Sequence, residues 1–385
     1  MRVLVLNQNL GSDEVEQLSK IFEGDEVHLL TGSEPKEQPN ITIHKTAPHD
    51  PRSLKSRFIC WIKYRKDVRK FMKQNKNMQF DLVYATSNPP INSLLGVWCK
   101  KKTKSKFVFM NWDIYPHVVE KSTGNPVVHL ICKGWHFLNN RTFPKIDKIV
   151  TLGEVMAKSI NKPLKKKQDI AVIPYPCDPD FMKPIPKEEN RFIKEQGLEG
   201  KFVVLYSGKL GLGHNIPLLL ESANALEDKK DILFLFIGKG PGCDFVQAAI
   251  DNGAENVKLL PHQPEDVFQM SMASGDVGLV SQEDKMSELF MPSKTFNMMA
   301  CGMPILAVCN KDNDLYNTVI NNNAGVCPES LTAKDIASCV LDLYENKEKR
   351  LEMGKNARKA TEEIYSKERV AEQFKQLFKD VKEGK

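Results

Sequence analysis

Short β-branched runs alternate with stretches of helical periodicity along the whole chain. In the first half the predicted strands are 3–7, 81–85, 107–111 and 148–152. In the second half the predicted strands are 202–207, 232–237, 257–260, 277–280 and 304–308, and the predicted helices are 215–226, 264–273, 293–300 and 333–345. Strands separated by helices imply parallel, doubly wound sheets. The pattern therefore predicts an α/β protein with two Rossmann-like domains that face a central cleft.

Proline marks the boundary between the two series. Residues 173–186 contain five prolines in fourteen positions, which neither a helix nor a central strand accommodates. A chain of 385 residues is also long enough for two domains of roughly 150–200 residues each. We assign the segments as follows: 1–173 to an N-terminal domain, 174–190 to a linker, 191–365 to a C-terminal domain and 366–385 to a terminal helix that is able to cross back to the first domain.

Charge separates the two halves. Residues 1–190 hold 31 Lys and Arg against 20 Asp and Glu, whereas residues 191–385 hold 24 against 29. A surface for anionic partners is therefore expected in the first half. The nine cysteines form no Cys-x-x-Cys pair, and no signal peptide or apolar run of about 20 residues is recognised. The predicted location is the cytoplasm, with a peripheral position on the inner face of the cell membrane left open.

A glycine-rich loop follows the predicted strand 202–207. Residues 206–215 read Tyr-Ser-Gly-Lys-Leu-Gly-Leu-Gly-His-Asn, and such glycines let a phosphate approach the backbone in front of a helix N-terminus. Lys209 adds a cation that can neutralise a departing diphosphate. Two alternatives stay open. One is a dinucleotide fingerprint, disfavoured because the next strand does not end in an acid; the other is a set of tight turns with Lys209 as a solvated lysine.

A second candidate anion site lies at 291–304. Residues 292–293 start a predicted helix, and Gly302 is typical of the position just after a helix. The first turn would present the N–H groups of Lys294 and Thr295, and the Lys294 side chain, to an anion. The alternative is a capped helix that only packs against its neighbours.

Taken in order, these loops resemble glycosyltransferase family 4, and most of all its bacterial branch for capsule, O-antigen and exopolysaccharide synthesis. The resemblance rests on Ser-Gly-Lys-Leu-Gly (207–211), Phe-Ile-Gly-Lys-Gly-Pro (236–241), Leu-Leu-Pro-His-Gln-Pro (259–264), Gly-Asp-Val-Gly-Leu-Val (275–280), Pro-Ser-Lys (292–294) and Met-Ala-Cys-Gly-Met-Pro-Ile (299–305). In the first half, Ser-Asn-Pro-Pro (87–90) and Asn-Trp-Asp-Ile-Tyr-Pro (111–116) are similar to loops of that branch, and the match there is weaker.

The resemblance implies the GT-B fold and a retaining hexosyltransferase. Such an enzyme moves a sugar from a UDP- or GDP-linked donor to a hydroxyl of a lipid-linked or glycan acceptor, in bacterial surface polysaccharide synthesis, without a metal or other cofactor and without nucleic acid. The implied diphosphate ligands are Gly208, Lys209, Ser293, Lys294 and Thr295. The nucleoside would lie beside Gly238, Lys239, His262 and Gln263. Lys209, Asp113 and His117 are the implied catalytic residues, the last two facing the transferred sugar and the acceptor from the first domain.

This sequence departs from the family pattern at two places. The family's pair of glutamates is not intact, because the position that normally grips the ribose hydroxyls holds Asn297 and the earlier position holds Leu289. Glu288 reaches the site only if the loop is shifted by one residue. The glycine-pair loop after the first strand is also reduced, at 7–11. Two alternative functions therefore stay open: a sugar-nucleotide 2-epimerase of the same fold, and a catalytically silent subunit that binds nucleotide sugars.

A basic, amphipathic segment lies at 52–76, with ten Lys or Arg and one Asp. On a helix, one face would carry Phe58, Trp61, Ile62, Val68 and Met72. This pattern is typical of an interfacial helix on an anionic membrane. The residues assigned to a membrane or acceptor surface are Arg57, Trp61, Lys63, Arg65 and Lys66. The alternative is a helix packed on the first domain with a solvated basic edge.

Overall fold

The computed structural model describes residues 1–50 and 52–384, apart from the side chains of Leu54 and Leu212. The chain divides into two compact units. Unit 1 comprises Met1–Pro174 and the C-terminal segment from Glu368, and unit 2 comprises Tyr175–Lys367. All nine cysteines are free thiols. None of the helices in the described ranges has both the length and the apolarity to cross a membrane.

Unit 1 is built on one parallel sheet of seven strands in the order β3-β2-β1-β4-β5-β6-β7. Its strands are β1 (Arg2–Leu6), β2 (Glu26–Thr31), β3 (Ile41–Lys45), β4 (Leu82–Thr86), β5 (Lys106–Asn111), β6 (Lys148–Thr151) and β7 (Ile170–Val172). Its helices are α1 (Ser12–Ile21), α2 (Leu54–Gln74), α3 (Asn92–Thr103), α4 (His117–Lys121), α5 (Pro126–Thr142) and α6 (Glu154–Asn161). The central strands are buried except at their first residues Arg2 and Lys106, because helices cover both faces of such a sheet.

Unit 2 contains a parallel sheet of six strands in the order β10-β9-β8-β11-β12-β13. Its strands are β8 (Phe202–Lys209), β9 (Ile232–Lys239), β10 (Val257–Leu260), β11 (Val277–Ser281), β12 (Ile305–Val308) and β13 (Gly325–Val326). Its helices are α7 (Arg191–Glu195), α8 (Ile216–Asn224), α9 (Gly242–Asp251), α10 (Glu265–Met272), α11 (Lys294–Ala300), α12 (Asp314–Asn321), α13 (Ala333–Glu345) and α14 (Lys347–Ala360). A final helix, α15 (Lys367–Glu383), follows.

Both sheets are doubly wound, so the prediction of two Rossmann-like parallel sheets is confirmed. The central strands β8 and β11 lie where β-branched runs were found in the sequence. These strands are easy to recognise because a strand buried on both faces is mostly apolar. Three strands of unit 1 were not predicted: β2, β3 and β7. Of these, β3 and β7 form the two edges of the sheet. Strand β3 reads Ile-Thr-Ile-His-Lys and is only partly buried, so that its hydrophobic pattern is weak.

The last helix packs within unit 1. The rings of Phe22 and Phe378 stack with their centroids 4.9 Å apart, and Lys375 pairs with Glu23 at 2.9 Å. The proline-rich residues 175–190, predicted to be a linker, fall within unit 2. Hydrogen bonds fix their first part, since the backbone N–H of Cys177 donates to the carbonyl oxygen of Tyr365 at 2.8 Å.

Helix α2 differs from the expected interfacial helix. Val68 and Met72 were placed on the membrane-facing stripe, but both are buried in unit 1 together with Tyr64. Only the N-terminal part of the helix leaves large apolar side chains in solvent, at Phe58 and Ile62. The prediction of one continuous apolar face over 58–72 was therefore wrong, because the helix turns its C-terminal half toward the core.

Two glycines bring the ends of β8 and β9 together. Gly208 lies opposite Gly238 in the strand register. A Cβ atom on Gly238 would lie 1.8 Å from the carbonyl oxygen of Gly208, and Gly238 has a φ of 153°. No side chain fits between backbones that approach so closely. The glycine therefore fixes the distance between two strand ends that flank the candidate site.

We expect Gly238→Ala to destabilise unit 2 by about 3 kcal/mol or more, because the added methyl group must displace a backbone carbonyl. The matched control is Gly253→Ala, where φ is 96° and no atom lies within 4 Å of the added Cβ. That control carries only backbone strain of about 1–2 kcal/mol. Thermal unfolding of both variants measures the difference, and equal midpoints would contradict the clash.

Candidate functional site

A cavity of about 340 Å³ opens at the carboxyl ends of the strands of unit 2. It lies where β8 and β11 meet, the point at which the strand order reverses and ligands bind in open α/β sheets. Its volume is in the range of roughly 300–1,000 Å³ typical of small-molecule sites. Six predicted residues line it: Gly208, Lys209, His262, Ser293, Lys294 and Asn297.

The ammonium group of Lys294 is the most unusual feature of this cavity. The Nζ atom is buried and has no hydrogen-bond partner among the described residues. It lies 3.6 Å from the centroid of the Tyr206 ring, whose negative face attracts a cation. Gly208 makes room for it, since a Cβ there would lie 3.2 Å from Lys294 Cε. Burial lowers the pKa of Lys294 to about 7, because the low dielectric of its surroundings disfavours the charged form.

His214 was not predicted as a site residue, yet it lines the cavity. Its Nδ1 atom lies 2.8 Å from the carbonyl oxygen of Ser281, so this nitrogen carries the proton and Nε2 is the acceptor in the neutral ring. Burial, and next the charge of Lys294, lower the pKa of His214 to about 4. The imidazole is therefore neutral at pH 7 beside two lysines.

Asn297 occupies the position where the resemblance predicts a ribose-binding glutamate. The Cys177 thiol lies 3.4 Å from Asn297 Oδ1, and burial raises the pKa of Cys177 to about 12, so the sulfur keeps its proton. The thiol therefore donates weakly to the amide oxygen. The amide nitrogen of Asn297 keeps its two N–H donors for a ligand.

Five other predicted residues are not among those that line the cavity. Thr295 is buried, and its backbone N–H already donates to the carbonyl oxygen of Pro292 at 3.2 Å. Gly238 packs against β8, as described above. Lys239 is exposed, and Gln263 donates its side-chain amide to the carbonyl oxygen of Pro261 at 2.7 Å. Glu288 is partly buried next to Leu289, whose side chain is fully buried.

In unit 1, Asp113 and His117 lie in and after the loop that follows β5. The backbone N–H of Asp113 donates to Ser87 Oγ at 3.2 Å, which joins the two loops that the sequence singled out. The rings of His117 and His136 meet edge to face with centroids 4.7 Å apart. The pocket that both rings line has a volume of about 10 Å³, which is room for one water molecule.

The cavity of unit 2 thus combines a polar and an apolar part. Lys209 and Lys294 supply cations beside the glycine-rich end of β8, whereas Phe268 and Met272 of α10 supply apolar surface. His262 lies beside Phe268, with ring centroids 6.5 Å apart. Such a cavity can hold a ligand that carries an anionic group at one end and a flat, weakly polar group at the other. Phe268 and Met272 were missed because their helical pattern is equally typical of a packing helix.

Comparison with known proteins agrees with this chemistry. Residues 187–360 match the family model described as "Glycosyl transferases group 1". The chain is 24% identical over 257 residues to the probable glycosyltransferase WbjE of Pseudomonas aeruginosa, covering 64% of this chain and 62% of that protein. It is 30% identical over 105 residues to the putative colanic acid biosynthesis glycosyl transferase WcaI of Escherichia coli K12, covering 27% and 26%. These matches span less than two thirds of either relative.

Solved structures show the same fold. Anabaena Alr3699/HepE, crystallised in complex with UDP, aligns with a TM-score of 0.73 and 15% identity over 99% of this chain and 100% of that one. Both chains therefore have the GT-B architecture. With the family match over residues 187–360, these findings lead to one conclusion: unit 2 contains a segment similar to the group 1 glycosyl transferases, and the chain has the fold of the solved structures.

Proposed function

We propose that the chain is a retaining, family 4-like glycosyltransferase. It moves a sugar from a UDP- or GDP-linked donor to a hydroxyl of a lipid-linked or glycan acceptor in surface polysaccharide synthesis, without a metal. Unit 2 binds the donor, and unit 1 provides the groups that meet the acceptor. During transfer the bond between the anomeric carbon and the diphosphate oxygen breaks, and a new bond to the acceptor oxygen forms on the same face of the sugar.

The buried ammonium of Lys294 is the observation that carries this proposal. A cation with no acceptor among the described residues is costly unless a ligand supplies negative charge. The diphosphate of a nucleotide sugar fits this requirement, because it brings oxygen acceptors into the cavity beside Gly208. Lys209, exposed at the same strand end, would stabilise the charge that develops as the diphosphate departs.

The remaining donor contacts follow from the cavity. Phe268 and His262 give the base an aromatic and apolar surface. Asn297 would donate from its amide nitrogen to a ribose hydroxyl, in place of the carboxylate that accepts from both hydroxyls in the family. A neutral donor makes fewer and weaker bonds here, so we expect nucleoside affinity to depend more on the base surface than on the ribose.

Unit 1 would act on the acceptor side. We assign Asp113 and His117 to the transferred sugar and the acceptor, because both lie near the carboxyl end of β5, where ligands of such sheets bind. Lipid-linked acceptors are reached at a membrane surface. The exposed cations Lys63, Arg65 and Lys66 of α2 would contribute attraction to anionic lipids there.

We expect Lys209→Ala to lower kcat by about 10²–10³-fold, since it removes a charge that acts mainly in the transition state. Folding should be unchanged because the side chain is exposed. The measurement is sugar transfer from the donor and acceptor pair that a panel of UDP- and GDP-sugars identifies. The matched control is Lys229→Ala, an exposed lysine that is not among the residues lining the cavity.

The same assay separates the alternatives. Transfer by Lys209→Ala at the wild-type rate would remove Lys209 from catalysis. Inversion at the anomeric carbon of the first product, read by proton NMR, would contradict the retaining mechanism. An epimerase would instead produce an epimeric nucleotide sugar without any acceptor, and a silent subunit would bind donors without turnover across the whole panel.

We expect donor affinity to fall above pH 7, by up to tenfold per pH unit. Because burial lowers the pKa of Lys294 from 10.5 to about 7, the free protein must take up a proton there to pair with the diphosphate. The effect on folding has the opposite sign. Between pH 7 and 10.5 the unfolded chain binds more protons at this lysine than the folded chain does, so the free energy of unfolding rises with pH. Calorimetric titration with a nucleotide sugar, whose diphosphate does not titrate in this range, measures the linkage.

Lys294→Met tests the same group by substitution. Methionine fills a similar volume without burying an ammonium, so the unliganded protein should be as stable as the wild type or more stable. Donor affinity should fall by about 10–100-fold, as expected for loss of a charged hydrogen bond, and its pH dependence should disappear. A variant that binds the donor as the wild type does, with the same pH dependence, would overturn the assignment of Lys294.

A further inference from the structure

Helix α5 (Pro126–Thr142) is amphipathic in the reverse of the usual sense. Helices of globular proteins normally turn their apolar side chains toward the core. In α5 the buried side chains are Cys132, Asn139 and Thr142, whereas five large apolar side chains are exposed. The exposed fractions are 64% for Val127, 69% for Leu130, 63% for Ile131, 56% for Phe137 and 45% for Leu138.

These positions form one stripe. Residues 127, 130, 131, 134, 137, 138 and 141 follow the spacing of three and four that places side chains on a single helix face. Gly134 adds no bulk in the middle of the stripe, and Arg141 continues it, with its guanidinium 4.3 Å from the centroid of the Phe137 ring. At 17 residues the helix is about 25 Å long. The stripe is therefore an extended apolar surface that ends in a cation.

Trp135, which lies beside the stripe and is partly buried, links α5 to the exposed part of α2. The indole rings of Trp61 and Trp135 meet edge to face, with centroids 6.3 Å apart, and Phe58 lies beside Trp61 at 6.5 Å. Phe58 and Ile62 are 59% and 40% exposed. Two neighbouring helices of unit 1 thus contribute to one apolar surface, which we call the α2–α5 face.

Charge indicates what covers this face. Residues 121–146 contain four Lys or Arg and no Asp or Glu, and α2 contains a single acid, Asp67. The exposed cations of the two helices include Lys63 and Lys66 of α2 and Lys133 of α5. A second copy of the chain would bring like charges together, whereas a surface of anionic lipid headgroups over hydrocarbon complements both the cations and the apolar side chains.

We propose that the α2–α5 face is a membrane-docking surface in which α5 inserts its apolar stripe among anionic lipids. Helix α2 supplies cations to the headgroups, and α5 supplies most of the apolar contact. The proposal deepens the membrane contact that the proposed function assigns to α2. Its test is separate from sugar transfer, because it concerns a surface of unit 1 and a lipid bilayer rather than the donor cavity of unit 2. The proposal explains why α5 carries an exposed apolar stripe, which packing within unit 1 does not require.

The test is flotation of the full chain with vesicles at low salt. Wild-type protein should float with vesicles that contain 30% phosphatidylglycerol in phosphatidylcholine, and at least tenfold less with pure phosphatidylcholine. Binding should decrease as salt is raised. Leu130→Glu combined with Ile131→Glu should reduce binding at least tenfold, while Leu351→Glu, at another exposed leucine on α14 of unit 2, should leave it unchanged.

Two control measurements keep the outcomes distinct. The thermal midpoint and the stabilisation by UDP should be the same in all variants, since the substituted side chains are exposed; this reads donor binding separately from lipid binding. Absence of flotation by the wild type with anionic vesicles would overturn the proposal. So would flotation of the double variant at the wild-type level, or a wild-type dimer that the double variant converts to a monomer without any vesicle binding.

Discussion

The candidate site depends on one buried cation. The Lys294 ammonium lies over the Tyr206 ring, and the hydroxyl of that tyrosine donates to the carbonyl oxygen of Lys209 at 2.9 Å. A Cβ atom on Gly208 would lie 3.2 Å from Lys294 Cε, so that a side chain there would press on the lysine. The ring offsets only part of the cost of removing the charge from water. The unliganded site is therefore less stable than its packing suggests, and an anion that enters recovers the difference.

The same constraint explains how far the sequence alone predicts the structure. Central strands such as β8 and β11 were found because burial on both faces requires apolar residues at every position. Strand β3 is an edge strand, where polar residues such as His44 are tolerated, so its pattern was too weak to recognise. Strand β2 beside it was missed although five of its six residues are buried. The C-terminal half of α2 was wrongly predicted to face a membrane for a related reason. Periodicity identifies an apolar face of a helix, but it does not show whether that face packs on the core or is exposed.

Individual site residues were predictable where a local motif fixes their position. Lys209 and Lys294 follow a strand end and open a helix, and both line the cavity. Gly238 was also predicted from a local motif. A glycine is needed there because two strands approach each other closely, not because it contacts a ligand. His214 and Phe268 could not be inferred in this way. The sequence around His214 is equally typical of a tight turn, and the sequence around Phe268 is equally typical of a packing helix.

The charge distribution gives the two units different means of attracting anions. Residues 191–385 carry more acids than bases, although their cavity is suited to a diphosphate. A general positive field is therefore not what would hold the donor there; a desolvated ammonium at contact distance acts more strongly, because the low local dielectric does not screen it. Residues 1–190 show the opposite arrangement, with many exposed cations that solvent and salt screen beyond about 10 Å. Exposed charges of this kind suit an extended, multiply charged partner, whereas a single buried one selects a small anion.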